Sequence, residues 1–247
     1  MIKIVELSKK YGESYVLENI NLTISNNTCL ALIGKNGVGK TTLLNILINN
    51  ISPTTGYIEF DNIKILENFF LKKKIGISFG TEYLIDEFTG LEYLYFINLT
   101  YKNEILKSET LKLFNYFFEN DFDKNKLIGN YSQGMKTKLS ICAAVIHKPE
   151  ILILDEPFAN LDPFAVEKII TFLSEFKKNR IVIFSSHELS NISKLATKIC
   201  LLDNNKILFH GSLEDFTNHG EKNIDKSLFN MLQPLDVNLD SLNFILK

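Results

Sequence analysis

Cys29-Leu30-Ala31-Leu32-Ile33-Gly34-Lys35-Asn36-Gly37-Val38-Gly39-Lys40-Thr41-Thr42-Leu43-Leu44-Asn45-Ile46-Leu47 decides the fold of this 247-residue chain. An unbroken apolar run that ends in glycine is what a parallel strand needs when both of its faces are covered. Glycines at 34, 37 and 39 interrupt it, and apolar residues then return at helical spacing. Asn49-Asn50 ahead of Pro53 ends the helix. The order is strand, glycine-rich loop, helix, and it predicts a mixed α/β core.

The loop has the pattern Gly-x-x-x-x-Gly-Lys-Thr, from Gly34 to Thr41. Its glycines allow backbone angles that side chains would oppose. Successive N–H groups can then wrap a phosphate at a helix N-terminus. Gly34, Lys35, Asn36, Gly37, Val38, Gly39, Lys40, Thr41 and Thr42 make up this candidate cradle. Lys40 brings a point charge to the β- and γ-phosphates, and Thr41 brings a hydroxyl for Mg²⁺.

Downstream, Ile151-Leu152-Ile153-Leu154 runs into Asp155-Glu156. Two carboxylates at the C-terminal end of a strand sit where parallel sheets bind ligands. Asp155 suits Mg²⁺, and Glu156 suits an attacking water. His187 follows Phe184-Ser185-Ser186 at the end of the next predicted strand, where an imidazole can approach a γ-phosphate. His147, His210 and His219 are expected at the surface or in turns.

The bulk properties set limits. A net charge of −2 argues against a nucleic-acid face, which calls for clustered Lys and Arg. Lys72-Lys73-Lys74 reads as solvated loop. Cys29, Cys142 and Cys200 stand apart among apolar residues, so they read as small core residues of a reducing compartment. No apolar run approaches the roughly 18 residues of a membrane span, and Met1-Ile2-Lys3-Ile4-Val5-Glu6 is too polar for a secretory leader. A cytosolic chain follows, with any membrane-spanning part on another polypeptide.

Around the core, residues 2–7 and 20–24 read as strands. Residues 84–148 read as an all-helical insertion. In it Thr89-Gly90-Leu91-Glu92 is a capping box, a Phe- and Tyr-rich helical stretch runs through Phe118, and a helix capped by Ser132 runs to Pro149. Residues 151–154 and 181–184 are strands. Asp162-Pro163 starts a helix between them, with Val166, Ile169, Ile170, Leu173 and Phe176 on its buried face. Residues 199–209 form a hairpin around Asp203-Asn204-Asn205.

With these segments placed, the chain resembles the ATP-binding cassette (ABC) proteins, the nucleotide-binding subunits of transporters, and most of all those of ABC-2-type exporters. Tyr131-Ser132-Gln133-Gly134-Met135 matches the family's signature segment, with Gln133 where glycine is commonest. Ala159-Asn160-Leu161-Asp162 matches the segment that communicates across the dimer. Tyr11 matches the aromatic residue that stacks on adenine.

The resemblance implies a P-loop, RecA-like α/β core with N-terminal antiparallel strands and an inserted helical subdomain. The cassette would span residues 2–235, with the core near 2–83 and 149–220, the subdomain near 84–148, and a tail over 236–247. It implies ATP and Mg²⁺ as ligands, with Thr41 and Asp155 at the metal. It also implies a head-to-tail homodimer or heterodimer, in which Ser132 and Gly134 of one subunit meet ATP held by the other. A separate integral membrane permease would hold the chain at the cytoplasmic face. The family's glutamine after the core strand falls at Gly80, and Glu82 is the nearest substitute, at the metal. The alternatives are a soluble cassette ATPase without a permease and a regulatory module without turnover. The intact Glu156 and His187 argue against the second.

Overall fold

The computed structural model describes residues 1–64, 69–101, 106–119 and 122–232. Its strands are β1 (Ile2–Tyr11), β2 (Ser14–Ile24), β3 (Thr28–Ile33), β4 (Thr55–Phe60), β5 (Ile63–Lys64), β6 (Ile75–Phe79), β7 (Ile151–Asp155), β8 (Ile181–Ser185), β9 (Lys198–Asp203) and β10 (Lys206–Ser212). Its helices are α1 (Lys40–Leu47), α2 (Gly90–Thr100), α3 (Lys107–Phe117), α4 (Gln133–Val145), α5 (Pro163–Phe176), α6 (Leu189–Leu195), α7 (Leu213–Phe216) and α8 (Ile224–Met231). The tail expected over 236–247 lies outside the described residues.

Two sheets form. One is antiparallel in the order β2-β1-β4-β5, and the other runs β10-β9-β3-β8-β7-β6. In the second, β9, β3, β8, β7 and β6 are parallel and β10 is antiparallel. The central strands are apolar throughout because both faces are covered. Cys29, Ala31 and Ile33 pack with Leu152, Leu154, Val182 and Phe184 against the helices of one side. Leu30 and Leu32 pack with Ile153, Ile183 and the α1 residues Leu43 and Leu44, under the antiparallel sheet. Each of the larger side chains, Val, Leu, Ile and Phe, contributes about 1.5–3 kcal/mol on burial. The three cysteines are buried and free. Burial pushes the Cys29 and Cys200 thiols up to about 12, which suits core residues and not nucleophiles.

Between β6 and β7 lies the helical insertion. Its capping box forms as read. The Glu92 amide donates to Thr89 Oγ1 at 3.3 Å, and the Thr89 amide to Glu92 Oε2 at 2.8 Å. The aromatic stretch, however, is not one helix. α2 stops at Thr100 and α3 starts at Lys107 after the extended Leu106, and the aromatics at the end of α3 join the same core as one face of the parallel sheet. Phe114 and Phe118 stack there at 4.4 Å. A buried hydrogen bond of 2.7 Å between Ser78 and Ser140 ties the insertion to β6. Gly76 lets α4 lie close, since a Cβ there would stand 2.0 Å from the Ala144 carbonyl oxygen.

His147 is not a surface residue. It is buried, its ring stacks on Tyr101 at 3.8 Å, and its Nε2 lies 3.2 Å from the Ile75 carbonyl oxygen. Burial lowers its pKa, partly offset by that carbonyl. Sequence alone hides this, because the partner ring is distant along the chain. His210 is exposed on β10, in line with the surface reading, and His219 sits in a turn at positive φ. The lysine run is a 3-10 turn over Phe69–Lys74, and Lys74 pairs with Glu150 at 2.8 Å. On α5, Ile169, Ile170 and Leu173 are buried as read, while Val166 and Phe176 are half-buried. β9 and β10 form the expected hairpin. Asn204 and Asn205 both have positive φ, at 46° and 66°, as a two-residue hairpin turn demands.

Candidate functional site

β8 lies between β3 and β7, and all three are parallel. Their C-terminal ends therefore deliver three loops to one edge. After β3 comes the glycine loop, after β8 come Ser186 and His187, and after β7 comes Glu156. Strand alternation settles the facing. Asp155 follows Ile153, and Ser185 follows Ile183, on the α1 side of the sheet. α1 begins at Lys40, so its first turn meets these residues.

The loop is built close to its neighbours. Gly34 has φ 149° and Gly39 φ 109°. A Cβ would stand 2.4 Å from the Leu202 carbonyl oxygen at Gly34, and 2.7 Å from that of Val16 at Gly39. Lys40 is buried, with 7% of its surface exposed. Its Nζ donates to the carbonyl oxygens of Gly34 (2.8 Å) and Lys35 (3.1 Å). Burial lowers the ammonium pKa, and the Glu156 and Asp155 carboxylates pull it back up. A buried cation held by neutral carbonyls suits an anionic ligand.

Thr41 Oγ1 donates to Asp155 Oδ2 at 2.9 Å. Ser185 Oγ donates to Asp155 Oδ1 at 2.5 Å and accepts from the Glu156 amide at 2.8 Å. Glu156 has φ 49°, and its Oε2 lies 2.9 Å from His187 Nδ1. Asn36, Gly37, Gly39, Lys40, Thr41, Thr42, Asp155 and Glu156 line one cavity of about 320 Å³. Among the described residues no three His, Cys, Asp or Glu side chains form a metal cage. Thr41 and Asp155 supply hard oxygens side by side, which suits Mg²⁺ completed by phosphate and water. The sequence reading singled out Lys40, Thr41, Asp155, Glu156 and His187, and these converge. It passed over Ser185, whose signal is a hydroxyl closing an otherwise apolar strand.

Tyr11, Ser132 and Gly134 do not line this cavity. Tyr11 is exposed at the end of β1, with Lys9 Nζ 5.1 Å from its ring centre. Ser132 caps α4 by accepting from the Met135 amide at 3.3 Å. Gly134 meets the Ala159-Asn160-Leu161 segment of its own chain. A Cβ there would stand 2.6 Å from the Asn160 carbonyl oxygen, a packing role that the sequence did not reveal. Gly80 directly follows Phe79, which pairs in register with Asp155. It has φ 63°, and its added Cβ would meet open space. The next residue, Thr81, donates to Gln133 Oε1 at 3.2 Å. Glu82 is exposed.

Comparison with known proteins agrees with this geometry. A family model described as ABC transporter matches residues 17–159. The chain is 31% identical over 225 residues to the uncharacterized ABC transporter ATP-binding protein YxlF of Bacillus subtilis, covering 91% of this chain and 75% of that one. It is 34% identical over 222 residues to the bacitracin transport ATP-binding protein BcrA of Bacillus licheniformis, covering 84% and 68%. Its fold matches the dimeric structure of MJ0796, a bacterial ABC transporter cassette, with TM-score 0.79 and 26% identity, over 86% of this chain and 99% of that one. The chain belongs to the ABC transporter family, as an ATP-binding and ATP-hydrolysing cassette. Among the described residues no helix is long and apolar enough to cross a membrane.

Proposed function

We propose that this chain is the cytoplasmic ATPase subunit of an ABC-2-type exporter, working as a dimer around two ATP molecules and driving a separate permease. The observation that carries the reading is the convergence of Lys40, Thr41, Asp155, Glu156 and His187 on one sheet edge. The likeness to a bacitracin transport subunit supports the exporter assignment. The cassette is assigned to residues 2–235, with the helical subdomain near 84–148.

In the proposed site the loop residues 34–42 wrap the phosphates of ATP, and Tyr11 stacks on adenine. Lys40 neutralises the β- and γ-phosphates. Thr41 and Asp155 would hold Mg²⁺, which when bound offsets phosphate charge. Glu156 orients the attacking water and takes its proton as the bond to ADP breaks, a contribution of about 10²–10⁴-fold. His187, held through Nδ1 by Glu156, has Nε2 free to face the γ-phosphate. Ser132 and Gly134 complete the site on the partner subunit, where the positive end of α4 favours the γ-phosphate. Homodimer and heterodimer both satisfy this arrangement.

Gly80 supplies no side-chain oxygen beside Asp155, so the isolated subunit is expected to be slow, since phosphoryl transfer depends on positioning. The groove beside it, lined by Ile77, Phe79, Tyr83, Leu84 and Tyr93, fits a cytoplasmic helix of the permease. Docking there brings Glu82 toward the metal. The test is ATPase activity with and without the co-purified permease, in the parent and in Glu82→Ala. Stimulation of the parent with loss of stimulation in Glu82→Ala is expected. A subunit as fast alone as in the complex contradicts the reading, and equal stimulation of both removes Glu82 from it.

A further inference from the structure

The geometry points to Ser185 as a positioning residue that sets the Asp155 carboxylate and the Glu156 backbone for reaction. This rests on the nucleotide-site reading above. Ser185 is fully buried, where a hydroxyl has to be satisfied by partners. It has one proton to give and lone pairs to receive with, and both of its bonds go to the same dipeptide. It donates to Asp155 Oδ1 at 2.5 Å and accepts from the Glu156 amide at 2.8 Å.

The first bond fixes the rotation of the carboxylate. With Oδ1 held by Ser185, Oδ2 is turned toward Thr41, which donates to it at 2.9 Å. The two oxygens offered to a cation, on Thr41 and Asp155, are then presented together. The second bond holds a backbone that resists its own conformation. Glu156 is not glycine, yet it has φ 49°, a region that costs about 1–2 kcal/mol for residues with a Cβ. That turn sends the carboxylate back to His187 Nδ1. Without the tie, the Asp155 carboxylate gains a rotamer and the Glu156 turn loses the acceptor of its amide. β8 is the strand that can do this, because it lies between the strands of the glycine loop and of Asp155. Leu32 faces Ser185 across one ladder, and Leu154, the residue before Asp155, faces Phe184 across the other.

The test compares Ser185→Ala with the parent in the full chain by two measurements. The first is affinity for Mn²⁺ in the ADP complex, read by electron paramagnetic resonance, against affinity for ADP without divalent metal. The second is steady-state ATPase activity resolved into kcat and KM. Partners that orient metal ligands are worth about 10–100-fold in affinity or activity. Expected are a loss of that order in Mn²⁺ affinity and in kcat, metal-free ADP affinity within about twofold of parent, and an unchanged melting temperature to within a few degrees. Ser185→Cys keeps the volume with a poor donor. It is expected to fall in the same direction, and it carries the test if the alanine variant fails to fold. Parent-like Mn²⁺ affinity and kcat in the folded variants overturn the assignment. So does an equal loss of ADP affinity with and without metal, which marks a merely structural role. A parent that shows no metal-dependent nucleotide binding overturns the site reading, and this inference with it.

Discussion

Lys40→Ala is expected to abolish measurable nucleotide binding. The ammonium is buried at the base of the glycine loop and donates to the Gly34 and Lys35 carbonyl oxygens. Phosphate oxygens would replace those neutral partners with charged ones. Two charge-assisted bonds at about 1.5–3 kcal/mol each make about 3–6 kcal/mol, or roughly 10²–10⁴-fold in affinity. Calorimetry with ATP checks this. A truncated lysine also takes a donor from the Gly34 and Lys35 carbonyls, of which the second keeps the Val38 amide at 3.3 Å, so the variant's melting curve belongs beside the titration. Parent-like affinity in a folded variant would remove the loop from the nucleotide site.

Glu156→Gln separates binding from turnover. The amide keeps the shape of the side chain, its positive-φ turn and an oxygen within reach of His187 Nδ1. It removes the proposed base. Hydrolysis is expected to fall by about 10²–10⁴-fold, while ATP binding holds or tightens because one negative charge facing the phosphates is gone. ATP then persists at the subunit interface, and the variant is expected to run as a dimer on sizing with Mg-ATP and as a monomer without it. A variant that hydrolyses at the parent rate takes Glu156 out of the chemistry.

The sequence carried most of the core because its signals are local. A run such as Cys29-Leu30-Ala31-Leu32-Ile33 must be buried on both faces, and the two clusters that receive its alternate residues bear this out. The capping box at Thr89 and the two-asparagine turn of the hairpin are likewise written into adjacent residues. What the sequence hid depends on residues far apart along the chain. His147 is buried because Tyr101 lies on it, and neither residue announces the other. Gly134 matched a signature, but the crowding at Asn160 that requires glycine there appears only in three dimensions. Ser185 is an ordinary serine until its two bonds to Asp155 and Glu156 are seen.

The central claim is that each reacting site is built from two subunits, and a mixing experiment tests it most directly. In the proposed dimer, Ser132→Arg would block the α4 end assigned to the partner's nucleotide, and Lys40→Ala would disable the cradle. Each variant alone is expected to be inactive. In a mixed dimer, the intact Lys40 of one subunit meets the intact Ser132 of the other, giving one whole site. Random pairing in a twofold dimer then restores up to about a quarter of the parent ATPase activity. Mixtures no more active than the sum of their separate parts would contradict a site formed between subunits.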